Sequence, residues 1–241
     1  MESKPVDEDK KLKEIIYETV CKCPVCQSEI VKKSIRDSRN RMVHIDFDLY
    51  ACYEYVNPIY YEIVACSKCG YAQLKRSKKV LTLAEIKLIQ EAISYQYLGY
   101  DYKKYYTRDD AIYMHKLALL NAQVRNATEG EKGYIMMKLA WLYREAGNKE
   151  EEDRFIQKTR NSFIKAYQTE EMPIFELEED VVVYLVAALS YQMKEYKEAK
   201  KWLTHIAIKR QINDRLRIRI FDLNRMIKMQ EAKEQEEQIK E

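Results

Sequence analysis

The sequence predicts an α+β fold, mostly α: a small ribbon of a few short antiparallel strands, followed by a domain of repeated helices. Three observations predict it. Two C-x₂-C pairs, Cys23-Pro-Val-Cys26 and Cys66-Ser-Lys-Cys69, bracket stretches of alternating polarity. From residue 80 onward the apolar period becomes helical. Within those helices Ala-x-x-Tyr recurs, at Ala92/Tyr95, Ala140/Tyr143 and Ala188/Tyr191, each copy 48 residues after the last. Only 5 Gly and 4 Pro in 241 residues favour long helices over many turns.

The elements divide into four stretches. Residues 1–20 read as a charged arm or short helix, with Leu12, Ile15, Ile16 and Val20 on its apolar side. Residues 21–79 form the ribbon. There Val43, Ile45, Phe47 and Leu49 alternate with His44, Asp46, Asp48 and Tyr50 as one strand. After the Asn57-Pro58 turn, Ile59, Tyr61, Ile63 and Ala65 line a second strand that runs into Cys66. Residues 80–229 are helical. Thr82 with Glu85 and Thr107 with Asp110 mark two helix starts, and Gly99 marks a stop. Further helices span about 131–146, 148–168, 177–194 and 196–210, and a last one starts near Asn213. Residues 230–241 read as a charged, frayed tail. Tyr196-Lys-Glu-Ala199-Lys-Lys-Trp202-Leu203 looks like the second helix of a tetratricopeptide (TPR) unit, although the usual period is 34 residues. The repeat domain is therefore TPR-like.

The cysteines carry the firmest chemistry. Cys23, Cys26, Cys66 and Cys69 have the spacing of two knuckles on one tetrahedral ion. Two intervening residues let a tight turn aim both sulfurs at one point, and Gly70 suits the left-handed backbone such a turn often needs. Four thiolates leave no open position for water or substrate, so the expected ion is structural Zn²⁺, with iron the rival metal. Residues 1–14 lack the apolar core of a signal peptide, and no run reaches membrane-span length. These features point to the cytoplasm, where thiols stay reduced. Cys21 and Cys52 read as ordinary part-buried thiols.

Charge adds a second theme. The whole chain is +3, yet residues 21–79 hold 11 basic and 6 acidic residues. Lys32, Lys33, Arg36, Arg39 and Arg41, with Lys75, Arg76, Lys78 and Lys79, flank the knuckles. Tyr50, Tyr53, Tyr55, Tyr60, Tyr61 and Tyr71 interleave with them. Cations beside aromatic platforms suit single-stranded nucleic acid; the alternative is a solvated face over a tyrosine-filled core. Seven tyrosines fall within Tyr95–Tyr113. Tyr95 reads as packing, and Tyr100, Tyr102, Tyr105 and Tyr106 as candidates for a groove that takes a protein or peptide. His44, Asp46 and Asp48 share a strand face and raise a second-metal or acid/base site, or else salt-bridge partners for the nearby arginines. No phosphate-binding glycine loop, nucleophile elbow or H-E-x-x-H is present, and His115 and His205 read as packed or surface histidines. The leading expectation is a non-catalytic zinc-containing scaffold that binds a protein or peptide; the alternative is a nucleic-acid-associated factor.

Cys23-Pro-Val-Cys26, His44-Ile-Asp-Phe-Asp48, Asn57-Pro58-Ile-Tyr60-Tyr61 and Cys66-Ser-Lys-Cys69-Gly70-Tyr71-Ala72 together resemble a bacterial family defined as a domain of unknown function. That resemblance covers roughly residues 20–210 and implies a Cys₄ zinc ribbon followed by TPR-like helices, without implying an activity. The sequence departs from the pattern at Gln27, where the first knuckle more often carries Gly.

Overall fold

The computed structural model describes residues 5–207 and 212–240, with side chains over 9–207 and 212–237. The ends of the expected arm and tail, and the expected helical residues 208–210, lie outside that range. The described chain forms two compact units. The first takes residues up to 45, 51–127 and 138–152; the second takes 46–50, 128–137 and 153 onward. This division cuts across the boundary drawn at residue 79, because two helices belong with the strands.

In the first unit, α1 (Pro5–Ile15) runs directly into β1 (Ile16–Lys22). β1 pairs antiparallel with β2 (Glu29–Ile35), from Ile16 opposite Ile35 to Lys22 opposite Glu29. The expected arm is thus half helix and half strand. The β-branched residues Ile16, Thr19, Val20, Ile30, Val31 and Ile35 explain the strand. The helical spacing of Leu12, Ile15 and Ile16 hides it. β3 (Met42–Ile45) pairs with β4 (Ala51–Tyr53), and β5 (Ile63–Ala65) with β6 (Ala72–Leu74). The expected strand over 43–49 stops at Ile45. There the Asp46 N–H donates to the Tyr50 carbonyl, and Leu49 takes a φ of 69° that no strand allows. The second expected strand is also shortened. Asn57 Oδ1 accepts the Ile59 N–H at 3.1 Å and winds residues 58–61 into a single 3₁₀ turn.

α2 (Leu83–Ala92) and α3 (Arg108–Val124) complete this part of the unit. Both start at the expected capping boxes, in which each threonine and its carboxylate three residues on satisfy each other's backbone N–H. α2 stops at Ala92, so Gly99 (φ 86°) does not cap it and instead shapes the loop beyond. α3 packs against β5 and β6. The residues it contributes to the interior include Ala111, Met114, Ala118 and Ala122.

α4 (Glu129–Glu145) and α5 (Lys149–Thr169) meet at the expected break, where Gly147 has a φ of 70°. In the second unit, α6 (Glu179–Gln192) is buried continuously from Val182 to Ser190, as an apolar helix must be. α7 (Tyr196–Ala207) and α8 (Asp214–Lys240) pack on it. Leu203, Ile206, Leu223 and Ile227 lie at the centre of this core, each 0–1% exposed. α8 remains helical to Lys240, where a frayed tail is expected, and Glu231 on it is ion-paired to Lys200. Among the described residues no helix is long and apolar enough to cross a membrane.

Two of the three aligned stretches share one backbone scheme at their helix breaks, in a register that differs from the sequence alignment. Ala92 and Tyr95 are exposed, Tyr95 at 77%, so the first copy packs nothing and Tyr95 is not a packing residue. In the other two, Asn148 N–H donates to Tyr143 O and Glu195 N–H to Ser190 O, both at 3.0 Å. The following helices begin with Glu152 N–H to Asn148 O and Ala199 N–H to Glu195 O. Those pairs are 47 residues apart, not 48. The αL residue that ends each first helix, Gly147 and Lys194 (φ 61°), fixes the alignment more strictly than side chains do.

Candidate metal centre and adjoining cleft

Each C-x₂-C pair is the turn of a hairpin. The first lies between β1 and β2, the second between β5 and β6. The two turns repeat one hydrogen-bond scheme. Cys23 N–H donates to Ser28 O at 2.8 Å and Gln27 N–H to Cys23 O at 2.9 Å. Cys66 N–H donates to Tyr71 O at 2.7 Å and Gly70 N–H to Cys66 O at 3.2 Å. Gln27 (φ 63°) and Gly70 (φ 71°) hold the same left-handed place, so the first turn keeps its shape without glycine. α3 fastens the second turn: Asn121 Nδ2 donates to Gly70 O at 2.9 Å.

The four sulfurs converge. Cys23 Sγ is 3.6 Å from Cys69 Sγ, and Cys26 Sγ is 3.6 Å from Cys66 Sγ. All four lie within 4.8 Å of one another. A tetrahedron with metal–sulfur bonds of about 2.3 Å has edges of about 3.8 Å, so the donors present fit one ion. The protons are less comfortable. A hydrogen bond from Cys69 holds the Cys23 thiol well below its ordinary pKa, the same contact pushes Cys69 up, and burial pushes Cys66 up. A divalent cation stabilises all four thiolates at once. Cys23, Cys66 and Cys69 are buried while Cys26 is exposed, with Ser28 Oγ 2.7 Å from its sulfur.

A family model described as an uncharacterized protein conserved in bacteria (DUF2225) matches residues 16–234. The chain belongs to this family. Neither the curated proteins nor the solved structures gave a match. The DUF2225 match takes in both knuckles, all six strands and most of the helices.

Beside the second knuckle lies a cleft of about 820 Å³. One wall is the β1–β2 hairpin, with Glu18, Glu29, Val31 and Lys33. The other is the loop after α2, with Tyr97, Leu98, Tyr100, Tyr102 and Tyr106; Ser67 and Lys68 of the knuckle form the end. The rings brace one another. Tyr100 stacks on Tyr113 with centroids 4.2 Å apart, and Tyr106 on Tyr61 at 5.1 Å. Tyr100 Oη donates to Asp110 Oδ1 at 2.7 Å, a bond that pushes the Tyr100 pKa up to about 12. Of the four groove candidates, Tyr100, Tyr102 and Tyr106 line the cleft. Tyr105 does not; its hydroxyl donates to Asp9 at 2.9 Å. Glu18, Glu29 and Val31 escape the sequence reading because their hairpin does, although the β-branched run on either side of Cys23-Cys26 signals it.

The basic residues take different partners. Lys33 is buried, donates to the Lys103 carbonyl and lies 4.5 Å over the Tyr106 ring, and burial lowers its pKa. Its neighbour Lys32 points to the opposite face of β2. Arg36 donates to the carbonyls of Glu14 and Ile16 and covers the Tyr17 ring. Arg39 and Arg41 are exposed. Lys75 is a structural pin: it donates to Lys33 O and to Ser34 Oγ, and burial brings its pKa down to about 8. Tyr50, Tyr61 and Tyr71 are core, each at most 9% exposed. The His44, Asp46, Asp48 strand face does not form. Asp48 is fully buried in the 46–50 turn and accepts hydrogen bonds from Tyr50 N–H and Gln192 Nε2.

Proposed function

We propose that this chain is a non-catalytic scaffold in which structural zinc rigidifies the hairpin pair, and that the cleft beside the second knuckle binds an extended peptide segment of a protein partner. The observation that carries the reading is the cleft itself, a preformed aromatic-lined groove whose end is a knuckle residue pair, Ser67-Lys68. Tyrosine gives large contact area at little entropic cost, which is why it is enriched at recognition surfaces. The four-thiolate shell suits structural Zn²⁺, and iron, which takes the same tetrahedral set, is the rival that elemental analysis of the purified chain separates. Acid groups outnumber ammonium groups around the cleft, Glu18, Glu29 and Asp101 against Lys33 and Lys68, so the peptide carries a lysine or arginine. The reducing cytoplasm supports such a thiolate site. The intrachain hydrogen bonds of Lys33, Arg36 and Lys75 and the burial of Tyr50, Tyr61 and Tyr71 weigh against nucleic acid as the occupant.

The test is a displayed peptide library panned against the zinc-loaded chain, followed by fluorescence anisotropy on the selected peptides. Val31→Arg and Leu98→Arg add bulk and positive charge to the walls at exposed positions and leave the core alone. Each should weaken binding at least tenfold while zinc content and circular dichroism stay unchanged. Selected peptides that bind both variants as well as the parent chain would remove the cleft from consideration.

A further inference from the structure

We infer that Cys26 is a modification site for peroxide, through which the four-cysteine centre releases its ion, and that Cys66 closes a disulfide onto it. The inference rests on the zinc reading proposed above. Four thiolates close the metal's shell, so a reagent from solvent meets sulfur rather than the ion. Which sulfur it meets is a matter of reach. Cys23, Cys66 and Cys69 are buried, and Cys26 is exposed.

The asymmetry is built into otherwise matching turns. Cys26 precedes Gln27 as Cys69 precedes Gly70, and Gln27 and Gly70 share the left-handed backbone. The second turn is covered. The Tyr97 ring and Ile93 lie against Gly70, Asn121 holds its carbonyl, and Cys69 is left 5% exposed. At the same place in the first turn Gln27 is exposed, and so is Cys26. Packing thus shields the second ligand of one knuckle and leaves that of the other open to water.

The sulfur positions supply the rest of the reaction. Cys66 Sγ lies 3.6 Å from Cys26 Sγ. The Cys26 sulfur attacks hydrogen peroxide: an S–O bond forms, the O–O bond breaks and hydroxide leaves. The Cys66 sulfur then attacks the sulfur of that sulfenic acid: an S–S bond forms, the S–O bond breaks and a second hydroxide leaves. The two sulfurs lose two electrons, the peroxide gains them, and protons from solvent turn both hydroxides into water. Cys23 and Cys69 remain as thiolates, one in each knuckle. Zinc is held by thiolates and not by a disulfide, so the ion is lost.

The test uses the full zinc-loaded chain, its zinc content measured first by elemental analysis. Hydrogen peroxide is added, zinc release is followed with a chromogenic chelator, sulfenic acid is trapped with dimedone, and the modified cysteines are mapped by tandem mass spectrometry. Dimedone should mark Cys26 before any other of the four. A Cys26–Cys66 disulfide should then form in step with zinc release, and dithiothreitol with Zn²⁺ should reverse both. Cys26→His puts at the exposed place a donor that zinc accepts and peroxide spares, so release per bound ion should slow at least tenfold. If that variant takes up no zinc, the order of adducts in the parent chain decides alone. Dimedone first on Cys23, Cys66 or Cys69, a first disulfide that omits Cys26, zinc retained under peroxide, or equally fast release from Cys26→His overturns the inference and leaves the zinc reading intact. A purified chain that holds no zinc overturns both.

Discussion

Gly70 and Gln27 occupy one place in two matching turns, yet only one of them could be exchanged freely. A Cβ on Gly70 would lie 2.7 Å and 2.9 Å from the Cδ2 and Cγ of the Tyr97 ring, near the root of that side chain, where the ring cannot swing clear. Gly70→Ala therefore combines left-handed strain with overpacking, and unfolding in urea should show about 2–4 kcal/mol less stability. Gln27 is exposed and already bears the strain, so Gln27→Gly should change stability by no more than about 1 kcal/mol, in the stabilising direction. Equal costs at both positions would mean that the two turns are not equivalent. At this scale the sequence was informative where chemistry is local. Cysteine spacing defined the ligand set, since two residues suffice to shape a knuckle. It was uninformative where a side chain's role depends on a distant partner. Nothing near Asp48 announces Gln192, and nothing near Tyr105 announces Asp9.

Among the elements, α3 carries the most legible start and the least legible interior. Its capping box is read from Thr107 and Asp110 because every bond falls within three residues. Its burial of His115 is not, because that depends on what α3 packs against. His115 is fully buried; its Nδ1 lies 2.8 Å from the Ala111 carbonyl, and Nε2 has no hydrogen-bond partner. Burial lowers its pKa to about 4, against the attraction of Glu62 and with the repulsion of Lys138. The unfolded chain binds a proton near pH 6.5, and the folded chain only near pH 4. Stability is therefore complete above pH 6.5 and falls as the pH drops, because protons favour the unfolded state. Between pH 7 and pH 5 the loss from this group is about 2 kcal/mol. His115→Gln should flatten that part of the urea-unfolding profile, and the difference between the two proteins cancels any contribution from the cysteines. Parallel profiles would count against a neutral, buried His115. The β1–β2 ladder and the 47-residue register escape the sequence for a related reason. Strand pairing and αL helix ends are backbone events, and the apolar pattern that sequence reading follows records side-chain burial instead.

For the molecule as a whole, an ion held by the four cysteines would act on one unit far more than on the other. The first unit rests on short ladders. β5 and β6 are three residues each, and β1–β2 buries few of its side chains. Ladders of that length are marginal in water unless something ties them down. The Cys₄ set joins hairpin tips 40 residues or more apart in sequence, and closing such loops costs on the order of 3 kcal/mol. Structural zinc supplies an apparent 10–16 kcal/mol in small fingers, so an ion bound by these cysteines would outweigh that cost. The second unit holds none of the four knuckle cysteines and has its own apolar core on α6, α7 and α8. Stripping the metal with a strong chelator should therefore raise amide hydrogen exchange across β1, β2, β5 and β6 by at least a hundredfold. Protection in α6 and α7 should remain within about threefold of the loaded protein, because the core cluster they share contains no knuckle residue. Adding Zn²⁺ should restore the hairpins' protection, and Cys66→Ser should reproduce the stripped pattern without a chelator. Uniform loss across both units would show that the ion stabilises one cooperative structure, and unchanged exchange in the hairpins would show that packing on α3 suffices without it.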